Sequence, residues 1–550
     1  MRMQTFDPAA EVDFIIVGSG AAGGVIAKEL STAGFKVVVL EQGPWRESGD
    51  FRHDEISNSM FQELTLNPAE HPQSLRRSDT EKAEPVVGRT ILTYSPQVGG
   101  SSVHFSANFW RLRPIDFIER SVWGPLEGTG FADWPITYEE LEPFYTKVEW
   151  EVGVSGVAGP NDPPRSRPYP MPPTPVKSSG VLLDMAATKL GWSSQPAPLA
   201  ILSEPFDGRP PCMHCGFCFG YGCEFGAKSS TLVSMIPKAV ATGNCEVRPR
   251  SRVHRIETNA QGRVTGVLYW DGEGIEREQR AKAVVLSANG AETPRLLFLS
   301  ESPRFPQGLA NSSGKVGKYI MHNGGGAASG LFEHPSNEYK SVVSTRIMME
   351  FYDADPQRGF YGGGGIDARN IALPLRFALN GLPPGSPTWG AEYMKLLRDQ
   401  FAHRVTFSGH TTSIPLESNN ITLDPDLRDP WGRPGLRLTY ADHPDDMKVK
   451  EFFRDRSVEL MEAAGAKEIY PGSVNPGGGG VHLLGTARMG NDPVTSVVDK
   501  YNRAHDVPNL FICDGSSLVS STRGQPTMTI QALAFRAGHH IAEFARRNEI

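Results

Sequence analysis

The sequence predicts an α/β protein, α+β overall, in which a doubly wound Rossmann-like domain is joined to an antiparallel-sheet domain. Three observations carry that expectation. A strand, glycine turn, helix and second strand open the chain from Asp13 onward. Alternating stretches such as Arg404-Val-Thr-Phe-Ser408 and Leu436-Arg-Leu-Thr-Tyr440 read as half-buried strands. The length of 550 residues exceeds one ordinary core, so two domains sharing an interface are expected.

The opening unit can be justified residue by residue. Asp13-Phe-Ile-Ile-Val17 is a short apolar strand, Gly18-Ser-Gly20-Ala-Ala-Gly23 follows it, and Gly24 to Leu30 reads as helix. Gly18 permits the tight turn, Gly20 lets the backbone approach a pyrophosphate, and Gly23 lets helix and strand pack closely. The helix start would offer unpaired N–H groups and a positive dipole end to phosphates. Lys36-Val-Val-Val-Leu40 is the second strand, ending on Glu41, where an acid can accept ribose hydroxyls. A glycine triplet alone is a weak signal. With strand, helix, second strand and acid in register it becomes a dinucleotide cradle, although it does not separate FAD from NAD.

Composition excludes several classes. Hydrophobic residues make up 39% and charged residues 21%, which is the balance of a soluble globular chain. The net charge of -7 comes with no basic block, so nucleic acid is not an expected partner. No run of 18 or more apolar residues occurs, so no direct membrane span is expected. Residues 1–12 lack an apolar h-region and a twin-arginine pair, so no signal peptide is expected on this chain.

Four of the six cysteines fall in one loop, as Cys212-x2-Cys215-x2-Cys218-x4-Cys223, while Cys245 and Cys513 read as small buried residues. A disulfide framework would be spread along the chain, so the cluster points to metal. Thiolates this close on a glycine-rich loop can converge on an iron–sulfur cluster. A single zinc is the simpler structural alternative, though zinc sites usually come as two separated C-x2-C pairs.

Further segments resemble the glucose-methanol-choline (GMC) flavoprotein oxidoreductases. Val98-Gly-Gly-Ser-Ser-Val-His104 resembles the family's flavin-facing glycine segment, and Asn289-Gly-Ala-Glu-Thr-Pro-Arg-Leu-Leu297 its second signature. His482-Leu-Leu-Gly-Thr-Ala-Arg-Met-Gly490 resembles the segment with the catalytic histidine. Asn509-Leu-Phe-Ile-Cys-Asp514-Gly515-Ser516 and Gln525-Pro-Thr-Met-Thr529 resemble the closing flavin strand and helix. The likeness spans nearly the whole chain. Within the family it is similar to catalytic large subunits of bacterial FAD-dependent sugar dehydrogenases of the glucose and fructose dehydrogenase kind, which also carry a cysteine cluster before the second signature.

That resemblance implies FAD as cofactor and His482 as the base that removes a hydroxyl proton, work suited to an imidazole near neutral pH. The family's second active-site position is usually His or Asn; here it is Gln525, which keeps an amide but adds a methylene. By position, Gly18, Gly20, Gly23 and Glu41 would hold the adenosine side, with Val253 meeting adenine through its backbone. Gly99, Gly100, Ser101 and His104 would lie against the flavin, Asp514 and Gly515 near the ribityl chain and pyrophosphate, and Pro526 would also contact the cofactor. His104 occupies the place of a histidine that is covalently linked to FAD in some members and not in others. Cys212, Cys215, Cys218 and Cys223 would hold a 3Fe-4S or 4Fe-4S cluster.

The resemblance further implies a GMC fold with a discontinuous FAD-binding domain over 12–170, 228–330 and 471–550. An iron–sulfur loop over 204–227 and a substrate-binding domain over 331–470 complete it. The expected activity is oxidation of a secondary or hemiacetal alcohol of a sugar, glycoside or polyol to a ketone or lactone. Electrons would leave through the cluster to a cytochrome c-type or other carrier. A small export or chaperone subunit is the second expected partner, with a periplasmic location by co-export and a cytoplasmic one otherwise. An oxygen-using oxidase and a non-catalytic flavin subunit with a structural metal loop are the alternatives.

Overall fold

The computed structural model describes residues 4–60, 63–369 and 373–550. Its centre is a sheet whose parallel part runs Cys245–Arg248, Val37–Leu40, Val12–Val17, Glu276–Leu286 and Leu510–Ile512 in spatial order. The registers pair Ile15 with Val38 on one side and with Val284 on the other. These strands are runs of β-branched residues because both faces are covered. Val12–Val17 and Val37–Leu40 are buried almost throughout.

Helix Gly23–Thr32 covers one face with Val25, Ile26 and Leu30, and the long helix Thr527–Arg546 packs beside it. Beyond Arg280 the strand Glu276–Leu286 belongs to the parallel sheet; before it, the same strand continues antiparallel to Val264–Trp270, which pairs in turn with Arg252–Thr258. The opening strand–turn–helix–strand reading therefore holds. Gly18 has φ +94°, and a Cβ there would lie 2.5 Å from the Ser287 carbonyl oxygen, so the turn admits glycine alone.

The second sheet has six strands, ordered Glu468–Pro471, Ala327–Leu331, Arg404–Thr411, Gly364–Arg369, Ser344–Met348 and Ser194–Pro196, all antiparallel. The alternation read at Arg404–Ser408 is the alternating burial of its central strand. Ser194–Pro196 and Ala327–Leu331 enter this sheet from outside 331–470. Helices Pro444–Ala464 and Ser178–Leu190 pack on it around Phe407, Phe453 and Leu460. The stretch Leu436–Tyr440 forms a strand in a third sheet, where Pro434–Thr439 lies parallel to Gln73–Arg76. Periodicity gives a strand its faces but not its partner, so pairing across 363 residues is invisible to it. Cys245 and Cys513 are buried core residues.

A buried charge ties together segments far apart in the chain. The Arg523 side chain is fully buried, its Nε donates to Asp116 Oδ1 at 2.9 Å, and a second nitrogen donates to Glu119. Tyr352 donates to Asp116 at 2.7 Å and Tyr361 to Glu119 at 2.6 Å, so the carboxylates keep further donors. Removing one partner of such a cluster strands the others. Arg523→Met is expected to destabilise the protein by about 3–5 kcal/mol, and adding Glu119→Gln should recover part of that loss. Urea unfolding of the two variants checks it; equal losses would mean that charge is not what the cluster contributes.

Candidate active site

A single cavity of about 410 Å³ runs from the glycine turn to the mouth of the second sheet. Gly18, Gly20, Glu41 and Val253 line one end, and Gly100, Ser101, His104, Asp514, Gly515 and Pro526 line the middle. His482 and Gln525 line the far end. Gly23 and Gly99 stand behind the wall: a Cβ on Gly23 would strike the Gly18 carbonyl, and Gly99 N–H donates to Ser19 Oγ at 3.1 Å. The four cysteines do not line the cavity, but Phe219 and Gly220 of their loop do.

The cradle end fits an elongated dinucleotide. Glu41 is buried at the end of its strand; Oε2 accepts from Ser19 N–H at 3.0 Å and Ser19 Oγ–H at 2.7 Å, and Oε1 from Gly43 N–H at 3.0 Å. The acid thus braces the glycine turn as well as facing the cavity. Burial raises its pKa, against the pull of those donors. Trp270, which no motif singled out, also lines this end and stacks on His254 at 4.0 Å between ring centres.

In the middle, His104 presents a buried Nε2 with no hydrogen-bond partner. Burial first, and then the nearby Lys228 ammonium, lowers its pKa to about 4. An unpartnered imidazole nitrogen and glycine-lined walls leave polar and steric room for a flat aromatic group. The helix Thr527–Arg546 begins on the cavity, so its free N–H groups and positive end favour negative charge there.

At the far end the tautomer of His482 is fixed by its surroundings. Its Nδ1 lies 2.8 Å from Asn323 Oδ1. The Asn323 amide nitrogen donates to the carbonyls of Thr411, Ser521 and Thr522 at 3.0, 2.9 and 3.2 Å, so the amide oxygen is what faces His482. An oxygen there demands a proton on Nδ1, which leaves the Nε2 lone pair to the cavity. Desolvation, followed by His410, Arg369 and His322, pushes the His482 pKa down to about 3.

Gln525 is buried, and its Nε2 lies 3.4 Å from Nδ1 of His410. His410 and Arg369, on adjacent strands of the second sheet, both line the cavity. No motif announced Asn323, Arg369 or His410. The one sequence signal was placement: Arg369 and His410 fall within 331–470, where a substrate-binding domain was expected.

The cysteine loop abuts the cavity wall. Gly220 N–H donates to the His104 carbonyl at 2.8 Å. Lys228, itself buried, donates through Nζ to the carbonyls of Phe105, Cys218 and Tyr221 at 3.1, 2.6 and 2.7 Å. Cys218 is buried, Cys212 and Cys223 are half-buried, and Cys215 is exposed. Burial raises the thiol pKa values, to about 11 at Cys212 and about 12 at Cys218, and the neighbouring thiols add to the rise. Among the described residues no three of these thiols come within 4.8 Å of one another.

Fold and site together define an α/β protein with a dinucleotide cradle and a buried imidazole, His482, at the far end of the same cavity. Residues 12–319 match the N-terminal profile and 415–534 the C-terminal profile of GMC oxidoreductase, and the chain belongs to that family of FAD-binding flavoproteins. It is 35% identical to 2-methyl-1,2-propanediol dehydrogenase of Mycolicibacterium austroafricanum, over 97% of this chain and 96% of the relative. It is 31% identical to the fructose dehydrogenase large subunit of Gluconobacter japonicus, over 96% and 97% respectively. The solved formate oxidase of Aspergillus oryzae shares the fold, with TM-score 0.67 over 99% of this chain and all of that one, at 15% identity. Among the described residues no helix is long and apolar enough to cross a membrane.

The buried imidazoles give a pH signature. An imidazole whose folded pKa lies below the unfolded value of about 6.5 is protonated more readily in the unfolded chain. His104 and His322, both held near 4, and His482, held near 3, share this direction. Stability from all three is therefore intact at neutral pH and drains as pH falls below about 6.5. The denaturation midpoint should drop between pH 6.5 and 4.5, and replacing His322 by Gln should flatten that slope. A midpoint unchanged over this interval would contradict it.

Proposed function

We propose that this protein is an FAD-dependent dehydrogenase oxidising an alcohol carbon of a sugar, glycoside or polyol to a carbonyl. The observation that carries the reading is His482, held by Asn323 with its Nε2 lone pair turned into the cavity that holds the cradle. FAD, when bound, supplies the two-electron acceptor for the hydride. His482 Nε2 takes the hydroxyl proton, so the alcohol loses one hydride and one proton and the C–O bond becomes a carbonyl. Its depressed pKa keeps it unprotonated through the working range, so the acid limb of the rate should fall well below pH 6.5. Gly18, Gly20, Glu41 and Val253 hold the adenosine portion in this reading, and Gly100, Ser101, His104, Asp514, Gly515 and Pro526 face the rest. Gly23 and Gly99 support them from behind. The names of the diol and sugar dehydrogenases to which the chain is similar support the substrate class.

Cys212, Cys215, Cys218 and Cys223 would hold, in the same reading, an iron–sulfur group, which would supply a one-electron exit from the flavin. Four thiols in one run along a loop, rather than as two separated pairs, suit a cluster better, and Phe219 and Gly220 bring the loop to the cavity wall. A relative named as a large subunit supports a partner chain. We read that partner as a cytochrome c-type acceptor with a small export subunit, in the periplasm.

His482→Ala should slow anaerobic bleaching of the flavin by substrate about a hundredfold or more, with FAD content near full. Bleaching at the wild-type rate would remove the base assignment. Cys218→Ser should leave that bleaching intact while reduction of cytochrome c collapses, because the substrate site lies outside the loop. Full cytochrome reduction by a variant free of iron and sulfide would return the loop to a structural role.

A further inference from the structure

Gln525 stands where the family resemblance expects a second histidine or an asparagine, yet a histidine is present beside it. His410 comes from the central strand of the second sheet and reaches the cavity wall next to Gln525. Its ring is wedged. Trp110 meets it edge-on at 5.9 Å, and a Cβ on Gly524, where φ is +109°, would lie 2.3 Å from the His410 Cβ. Packing of this kind holds a side chain in one orientation.

Behind the ring lies a buried ion pair. His410 Nε2 is 3.1 Å from Asp367 Oδ2 and 2.9 Å from Arg369 Nη2. Arg369 donates to Asp367 at 2.7 Å, and the fully buried Asp367 also accepts from Asn108 at 2.9 Å. Nε2 thus touches one acceptor and one donor, so either neutral tautomer of His410 has a partner. Nδ1 meets the Gln525 amide at 3.4 Å, the long limit of a hydrogen bond, so a substrate hydroxyl can take the place of that amide at its lone pair or N–H.

The charges at this end cancel. Among the described residues Arg369 is the guanidinium that lines the cavity at the His482 end, and Asp367 neutralises it from behind. Desolvation, against the pull of Asp367, lowers the His410 pKa, and His482 is neutral as well. A hydroxyl oxygen finds donors and acceptors here. A carboxylate would approach Arg369 only by facing the carboxylate already bound to it.

We propose that His410, braced by the Asp367–Arg369 ion pair, is the second hydrogen-bonding pole for substrate in place of Gln525, and that this pairing selects neutral hydroxylated substrates over hydroxy acids. The proposal rests on the dehydrogenase reading above and narrows its substrate class.

The test uses the FAD-loaded protein and anaerobic flavin bleaching by matched probes: propane-1,2-diol against lactate, and glucose against gluconate. The neutral member of each pair should bleach at least tenfold faster; faster bleaching by the acids overturns the selectivity. Asp367→Asn, which leaves Arg369 unpaired, should raise the lactate-to-diol rate ratio at least tenfold. A fall in both rates with an unchanged ratio would reduce Asp367 to a structural role and overturn the charge argument. His410→Leu should slow bleaching by the diol at least tenfold, with His410→Asn retaining more and Gln525→Leu losing less. A larger loss in Gln525→Leu than in both His410 variants, at equal FAD content and melting midpoint, hands the pole back to Gln525. Wild-type bleaching by His482→Ala would instead sink the dehydrogenase reading, independently of His410.

Discussion

The substrate end of the cavity depends on one buried guanidinium. Arg523 meets Asp116 and Glu119 across 407 and 404 residues of chain, in a space closed by Tyr352 and Tyr361. What it pins is the loop Ser520 to Pro526. The carbonyls of Ser521 and Thr522 hold the amide of Asn323, and that amide sets the tautomer of His482. Gly524 backs the ring of His410, Gln525 faces it, and Pro526 starts the helix that opens on the cavity. Two carboxylates buried without Arg523 would be strongly penalised, so the loop has one geometry and passes it to the residues it touches.

The two ends of the cavity are built by opposite means. The cradle end uses backbone: a glycine turn no side chain could enter, braced by the Glu41 carboxylate through Ser19 and Gly43. The substrate end uses side chains whose charges cancel locally and whose imidazoles burial keeps neutral. Backbone suits a cofactor of constant shape. Oriented dipoles and neutral rings suit a reaction in which a proton departs with a hydride, because nothing must reorganise when the charge moves.

This division explains what the sequence disclosed. Backbone motifs are local, so Gly18, Gly20, Glu41 and the strands around them were legible from spacing alone, and His482 from its segment. The support of His482 was not. Asn323 lies 159 residues earlier and belongs to no motif; its role exists only because Ser521 and Thr522 turn their carbonyls toward it. Gln525 was legible as a departure from the family's His or Asn, whereas the histidine that packing places beside it, His410, was not. The strand pairing of Pro434–Thr439 with Gln73–Arg76 was hidden for the same reason, since alternation specifies a face and not a neighbour.

Lys228 extends the argument to the cysteine loop. It is a buried ammonium that forms no ion pair among the described residues; three carbonyls receive its protons, one from the flavin-side segment at Phe105 and two from the loop at Cys218 and Tyr221. Burial lowers its pKa, and the thiols of Cys218, Cys223 and Cys215 are the groups that act against that fall. A buried cation without a carboxylate is costly unless negative charge comes from elsewhere. Among the described residues the thiols are the groups whose ionisation would supply it. Its three carbonyl contacts fasten the cation to the loop and to the segment that follows His104. The cysteine loop and the cofactor cavity are in this sense one structural unit, joined by a charge that neither motif reveals alone.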